Sequence, residues 1–383
     1  MDKKTQGNID ALYGALEPKK DCAGSLTMLV GVDGFVDEIL HCVDKRQDFD
    51  NYTRLNTIGE YGQRIVRAAG LSTNFEFVNQ ATKLGGNGPI FSNALLEYGV
   101  NLSYVGALGR SDIHPVFKDM AEKSKAIYSL CDPGFTDALE FEDGKLMLGK
   151  HKTLKEITWD RMKEVMGGAA SIAEIIAQCD LFGMENWTMI PRMSQLWEGL
   201  IDEVLPLLPD RSPKPLAFFD LADPEKRDKA DILHAMKLIG KFEHKFRTVL
   251  GLNEKELFEV AAVFDIDERA SLPREEQLPL VIKDVYDAMH ITCLVVHPTK
   301  EAFACGGGDV LHTEGPYCAK PVLTTGAGDN FNAGFCFGLS LGLDIQNALV
   351  LGVATSGYYV RNAGSPNFGN ILAFLKDWEA DKV

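Results

Sequence analysis

Short apolar runs bounded by glycine and charged residues recur along this chain, and apolar positions at helical spacing fill most of the intervals between them. The first run, Leu26-Thr27-Met28-Leu29-Val30-Gly31-Val32, is hydrophobic throughout and predicts a strand buried on both faces. Similar runs stand at Tyr104–Ala107, Leu181–Met184, Leu216–Phe219, Thr248–Leu250 and Thr292–Val296. Strands that alternate with helices fold as a largely parallel sheet covered on its faces, so the pattern predicts an α/β domain. Residues 9–20 predict a short amphipathic helix ahead of the first strand. The span 186–245 predicts mostly helix, punctuated by Pro206, Pro209, Pro213 and Pro215 in a loop.

One stretch departs from this rhythm. Residues 137–142 and 145–148 flank Asp143-Gly144, a hairpin signal, and predict a small β lid. The lid segments are placed at approximately 34–60 and 131–155, and the alternative is a surface hairpin with no role. No repeat, low-complexity linker or domain boundary is visible, so residues 1–383 read as a single domain.

Composition narrows the function classes. The formal net charge of −16 opposes binding to a polyanion, so nucleic acid is not an expected partner. A nucleotide remains compatible, because backbone amides and a divalent cation can supply local positive potential. The eight cysteines are scattered without a C-x-x-C pair and read as reduced thiols, not as a metal site. The polar start Met1-Asp2-Lys3-Lys4 and the lack of a bilayer-length apolar run predict a cytoplasmic protein without a membrane partner.

The chemistry concentrates in Thr324-Thr325-Gly326-Ala327-Gly328-Asp329, which leads into an apolar helix expected to run to about Leu341. Gly326 and Gly328 let backbone approach a ligand, and the free N–H groups of a helix start attract an anion. Asp329 then lies where a carboxylate can accept the proton of an attacking hydroxyl. A plain tight turn with an acidic helix start is the competing reading of these residues alone.

This segment resembles the C-terminal signature D-T-x-G-A-G-D-x-F of the ribokinase family, the PfkB-type carbohydrate kinases. Gly85-Gly86-Asn87, continuing to Ala94, resembles the family's G-G-N-x-x-N-x-A helix, and Asn253-Glu254-Lys255-Glu256 resembles its N-x-x-E motif. The matches extend from about Leu26 to Phe368. The resemblance implies a three-layer α/β/α ribokinase-like fold with a mostly parallel sheet and a small β-sheet lid. It implies transfer of phosphate from ATP, with Mg²⁺, to a hydroxyl of a sugar or sugar derivative. By that similarity Asp329 deprotonates the acceptor, and the amides of Gly326, Ala327 and Gly328 stabilise the transferred phosphoryl group. Asp33, or as second choice Asp37, binds substrate hydroxyls, and Gly85, Gly86 and Asn87 complete the sugar pocket. Asn253, Glu256 and Thr325 attend the nucleotide phosphates, with Glu256 acting on Mg²⁺ through water.

Alternatives remain at single residues. Asp33 followed by Gly34 also fits an ordinary turn, and Glu254, Glu256 and Glu259 also fit the solvent face of a helix. Leu323 stands where the family signature has Asp, which makes dependence on a monovalent cation doubtful. Val296–Ala302 lacks the glycines of the family's T-x-G-x-x-G turn, so adenine recognition is expected to differ. Rival functions are a nucleoside (adenosine-like) kinase, with Phe35 and Phe91 as candidate stacking residues or else core, and a catalytically silent sugar- or nucleotide-binding regulator. A Rossmann dehydrogenase fits the sequence less well than either rival, since no G-x-G-x-x-G joins the first strand to a helix. An exposed lid edge further predicts a homodimer through the lid.

Overall fold

The computed structural model describes residues 3–383. Its strands are β1 Thr27–Val32, β2 Phe35–Arg46, β3 Tyr52–Arg54, β4 Phe77–Gly85, β5 Asn101–Gly106, β6 Ala126–Ser129 and β7 Gly134–Phe141. They continue with β8 Gly144–Lys150, β9 Leu181–Met184, β10 Leu216–Asp220, β11 Arg247–Leu252, β12 Cys293–Val296, β13 Glu301–Gly306 and β14 Asp309–Glu314.

The apolar runs become the centre of a nine-stranded sheet in the order β14-β13-β12-β11-β10-β9-β1-β5-β6. Every pairing from β6 to β12 is parallel, and the β13–β14 hairpin closes one edge antiparallel. Side chains alternate between two cores. Phe182, Phe219, Leu250 and Leu294 join the helices between residues 159 and 289 on one face, and Met28, Phe218, Val249 and Val295 join helices Asn87–Glu97, Ala327–Ser340 and Ile345–Asn362 on the other. Burial on both faces is what a parallel sheet demands, and it yields three layers. The predicted helix at 9–20 is a helix at Lys3–Leu16 followed by a 3₁₀ turn at Glu17–Lys19.

A second sheet joins β3, β2, β7 and β8, with β4 paired to the other side of β2. The chain enters it through Asp33-Gly34 after β1 and leaves it through Gly86 into helix Asn87–Glu97. Helix Ile58–Arg67, started by a capping box at Thr57 and Glu60, packs Tyr61 and Ile58 with Leu40, Leu55, Leu139 and Phe141 into a small separate core. Strand β4 and the helix at 58–67 fall outside or at the margin of the stretches the sequence marks as lid.

In the large sheet, chain order runs outward from β1 in both directions, so the crossover connections diverge between β1 and β9. Ligands of open α/β sheets bind beyond the carboxyl ends of strands at such a switch point. Asp33, Glu185, Asp220, Asn253 and His297 occupy or directly follow the ends of β1, β9, β10, β11 and β12.

Candidate active site

Gly326 adopts a left-handed conformation, φ 88°, and caps helix Ala327–Ser340. A Cβ there would stand 3.0 Å from both Ile90 Cγ2 and the Tyr359 hydroxyl oxygen, so only glycine fits. The turn is pinned from several sides. Tyr359 donates its hydroxyl to the Thr325 carbonyl at 2.8 Å, and Asn330 donates its amide to the Gly326 carbonyl at 2.9 Å. The Ala327 N–H closes the turn onto the Thr324 carbonyl at 3.1 Å, while the amides of Gly326 and Gly328 make no such bond. Two of the three expected anion-binding amides are thus left open to a ligand, and Ala327 spends its own on the turn.

Asp329 is buried at the first turn of this helix, where Asn87 Nδ2 donates to its Oδ1 at 3.0 Å. Desolvation, with the Asp33 charge adding to it, pushes its carboxyl up to about 8. Asn87 therefore holds the predicted base in addition to lining the site, and it reaches Asp220 at 3.4 Å.

Asp33 is engaged within the fold. Its carboxylate accepts the N–H groups of Asn87 at 3.0 Å and Gly88 at 2.9 Å and the amide of Asn186 at 2.7 Å. Gly86, the N-cap of helix Asn87–Glu97, has no side chain to cap with, so Asp33 serves as a remote cap from the end of β1. It is wholly buried, and desolvation raises its pKa to about 6 against those hydrogen bonds. Asp37 lies on β2, and its carboxylate lines a cleft beneath the lid. Burial raises its pKa, while Thr136 and Lys145 oppose the rise. The two glycines make room for these acids: a Cβ on Gly85 would come within 2.3 Å of the Asp37 carboxylate, and one on Gly86 within 2.9 Å of Asp33.

Asn253 and Glu256 form a capping box at the start of helix Glu254–Val263. Glu256 accepts N–H bonds from Asn253 and Asp223, both at 2.8 Å, and is 4% exposed, so it is not part of a solvated face. Burial raises its pKa, and its charge raises those of Asp220 and Asp329. Glu254, by contrast, pairs outward with Arg274.

Two site acids went unpredicted. Asp220 ends β10 and accepts from Asn332 at 3.3 Å. Glu185 follows β9, is fully buried, and has no hydrogen-bond partner on either oxygen. Burial and the neighbouring carboxylates hold both far above the ordinary range. The available signal was an acid placed directly after an apolar strand run, at Met184-Glu185 and Phe219-Asp220. The unpartnered oxygens of Glu185 and Asn332 are hard donors of the kind that suits Mg²⁺, while among the described residues the acids whose oxygens converge within 4.8 Å are Asp223, Glu225 and Glu259.

The glycine turn divides two clefts. One, of about 320 Å³, is lined by Thr324, Ala327 and Gly328 together with His297, Lys300 and Tyr317. The other lies under the lid, where Thr325 and Tyr359 meet Asp37, Lys83, Lys145 and Met147. His297, in the segment without family glycines, is half-buried, and desolvation lowers its imidazole to about 4. Leu323 lines the lid cleft and has no side-chain oxygen to offer a cation. Phe35 and Phe91 are core residues: Phe91 stacks on Phe218 with ring centroids 5.3 Å apart, and Phe35 meets His151 edge-on.

A layered α/β body, a sheet lid and a glycine turn with a buried aspartate define a ribokinase-like, PfkB-type carbohydrate kinase. The family model described as prokaryotic ketohexokinase matches residues 1–378, and the chain belongs to that family. It is 28% identical over 353 residues to the ketohexokinase of Haloferax volcanii, spanning 92% of this chain and 91% of that protein. A shorter stretch of 85 residues, 22% of this chain and 24% of the relative, is 35% identical to inositol 3-kinase of Arabidopsis thaliana. Among solved structures, Arabidopsis thaliana ribokinase complexed with ribose and ATP superposes with TM-score 0.58 at 15% identity, over 92% of this chain and 98% of that one. A probable sugar kinase from Rhizobium etli gives TM-score 0.61 at 16% identity, over 94% and 99%. These structural likenesses establish the fold, and family membership makes the protein an ATP-dependent carbohydrate kinase.

Proposed function

We propose that the protein phosphorylates a ketohexose, with Asp329 as general base and the open amides of Gly326 and Gly328 as the anion site. Asp329, buried in the first helical turn behind the glycine turn that borders both clefts, carries the phosphoryl-transfer reading, and the family match over residues 1–378 supports the ketohexose acceptor. The acceptor lies in the lid cleft and the nucleotide in the larger cleft. The acceptor hydroxyl oxygen attacks the γ-phosphorus, the bond from that phosphorus to the β,γ-bridging oxygen breaks, the proton passes to Asp329, and ADP leaves. Asp37 is the better candidate for sugar hydroxyls, because Asp33 is consumed in capping a helix. Gly85 gives that carboxylate its space, and Asn87 orients the base.

Glu256 through water, with Asp220 and Glu185 facing the same region, would hold Mg²⁺, which offsets phosphate charge when bound. Asn253 fixes Glu256, and Thr325 carries the turn carbonyl that Tyr359 holds. Leu323 supports turnover that is independent of potassium, checked by comparing rates in sodium and potassium buffers. A cytoplasmic location belongs to the same proposal, since ATP is the co-substrate and all eight cysteines are free.

The lid acts as a cover over the acceptor, with its strands at 35–54, 77–85 and 134–150. A homodimer would have to form along the free edges of β4 and β8, because helix Ile58–Arg67 occupies one face of the lid and the acceptor cleft the other. Light scattering on the purified chain tests it.

The functional test is ADP release with MgATP across fructose, other hexoses, pentoses, inositol and adenosine, beside Asp329→Asn. Fructose-dependent turnover lost in the variant is the expected result. Turnover with adenosine and not with any sugar would overturn the acceptor assignment, and wild-type rates in Asp329→Asn would overturn the base.

A further inference from the structure

A third cavity, of about 440 Å³, lies at the other end of the large sheet. Leu216, Arg247 and Cys293 reach it from the amino ends of the adjacent parallel strands β10, β11 and β12, whereas the candidate active site takes the carboxyl ends. Leu339, Leu343 and Ile345 close it from the connection between helices Ala327–Ser340 and Ile345–Asn362. Small-molecule sites are typically about 300–1,000 Å³, mostly apolar, with a few polar groups that orient the ligand.

The polar groups of this cavity differ in what they have to spare. Asp344 caps its helix, its carboxylate accepting the Asn347 N–H at 2.7 Å and the Asn347 side-chain amide at 3.0 Å. Thr292 donates its N–H and its hydroxyl to Glu243 at 3.0 and 2.6 Å, and Gln346 donates to the His312 carbonyl at 3.4 Å. Arg247, half-buried, donates from Nε to the Lys214 carbonyl at 3.0 Å, and among the described residues its two Nη atoms have neither a hydrogen bond nor an ion pair. Such a fork matches a carboxylate bidentately. The Asp344 charge in the same cavity disfavours a dianion, and the leucines favour an apolar body.

We propose that this cavity is a second binding site, for a monocarboxylate with an apolar body held by Arg247, and that its occupant adjusts nucleotide binding. The site itself is independent of the acceptor, and the second half rests on the nucleotide cleft assigned above. The same elements line both cavities. Helix Ala327–Ser340 starts at the glycine turn and ends here, about 21 Å away at 1.5 Å per residue over 14 residues. Helix Ile345–Asn362 starts here, lines the nucleotide cleft with Ser356, Gly357 and Val360, and holds the Thr325 carbonyl through Tyr359. The two helices leave no slack between them. A Cβ on Gly338 would stand 3.1 Å from the Ala348 Cα, one on Gly334 2.3 Å from the Thr355 Oγ1, and one on Gly352 2.8 Å from the Phe331 ring. Elements packed so closely shift together, so a ligand seated at their connection is felt at the turn.

Calorimetry with octanoate and the neutral octanol as probes tests the proposal on wild type, Arg247→Gln, Arg247→Lys and Gln346→Trp, each first checked by its melt. Octanoate is expected to bind wild type one to one and at least about tenfold more tightly than octanol. Arg247→Gln should lose about tenfold or more of the octanoate affinity, the effect of deleting a hydrogen bond to a charged group, and none of the octanol affinity. Arg247→Lys should keep part of it. Gln346→Trp, which fills the rim and leaves Arg247 in place, should lose both probes. Saturating octanoate should shift the wild-type MgADP affinity about fivefold or more, MgADP should shift the octanoate affinity by the same factor, and Gln346→Trp should bind MgADP normally without either shift. No octanoate binding, equal affinity for the two probes, or octanoate binding unchanged in Arg247→Gln and Gln346→Trp overturns the site. An MgADP affinity that octanoate leaves within about twofold overturns its action on the nucleotide. If wild type does not bind MgADP at all, the nucleotide assignment fails, while the octanoate titrations still decide the site.

Discussion

The large sheet and the lid are built on opposite principles. Strands β9 to β12 are apolar on both faces and locked between two extensive cores. The lid has one small core around Leu139 and Phe141 and turns its other face to the cleft beneath it. Strand β4 is nearly all exposed or half-exposed. Stability therefore resides in the body, and the lid is free to open at modest cost, as elements that gate a site must be. The two regions also divide the candidate site residues: the body holds Asp329, while the lid carries Asp37 into the cleft beneath it.

The sharpest way to separate the two regions is Asp329→Asn. Turnover should fall about 10²–10⁴-fold, the usual cost of losing a general base. The variant should nevertheless melt higher than wild type, because a buried carboxyl held at about 8 is a burden on the fold. A lower melting temperature would refute that account.

Next comes pH. With its pKa raised from 3.8 to about 8, Asp329 is protonated at pH 6 in the free protein and cannot accept a proton. The kcat/KM should therefore rise about tenfold per unit from pH 6 and level near pH 8. Stability runs the other way. Between the unfolded and folded pKa values the folded chain holds the extra proton, so stability is highest at the acid end and is lost as pH rises through the folded value. Thermal melts of ligand-free protein from pH 5 to 8 check the sign, and added Mg²⁺ should flatten the slope.

A smaller effect is expected at the joint between the regions. In Gly85→Ala the new methyl displaces the Asp37 carboxylate. Loss of a hydrogen bond to a charged group, about 1.5–3 kcal/mol, predicts a roughly tenfold or greater rise in acceptor KM with little change in melting temperature. The smallest changes in rate should come from paired core truncations. Leu250→Ala in the body should cost about 2–5 kcal/mol of global stability. Leu139→Ala in the lid, though equally buried, should leave the main melt nearly unmoved and show as faster proteolysis within residues 47–75. Equal shifts in both melts would mean that lid and body unfold as one unit.

Sequence reading served the body better than the lid for the same reason. Continuous apolar runs announce β1 and β9 to β12, because burial on two faces forces every position to be apolar. Strand β4, Phe77-Val78-Asn79-Gln80-Ala81-Thr82-Lys83-Leu84-Gly85, has an open edge and one wet face, so it carries no such pattern. The glycine turn was legible because backbone approach admits few residues. The bonds of Asp33 to the amides of Asn87 and Gly88 were not legible, because those partners lie more than fifty positions away. Glu185 and Asp220 were passed over since a single acid after a strand has no local spacing to mark it.

The capping of helix Asn87–Glu97 by Asp33 has a mechanical consequence. The two stems of the lid, Asp33-Gly34 going in and Gly85-Gly86 coming out, are riveted together by the bonds from Asn87 and Gly88 to one carboxylate. At Gly34 a Cβ would come within 2.1 Å of the Ala107 carbonyl oxygen, so the inbound stem is clamped against the body as well. Any swing of the lid would therefore pivot on a fixed pin, and Asn87, which bonds to Asp329, is mounted on that pin.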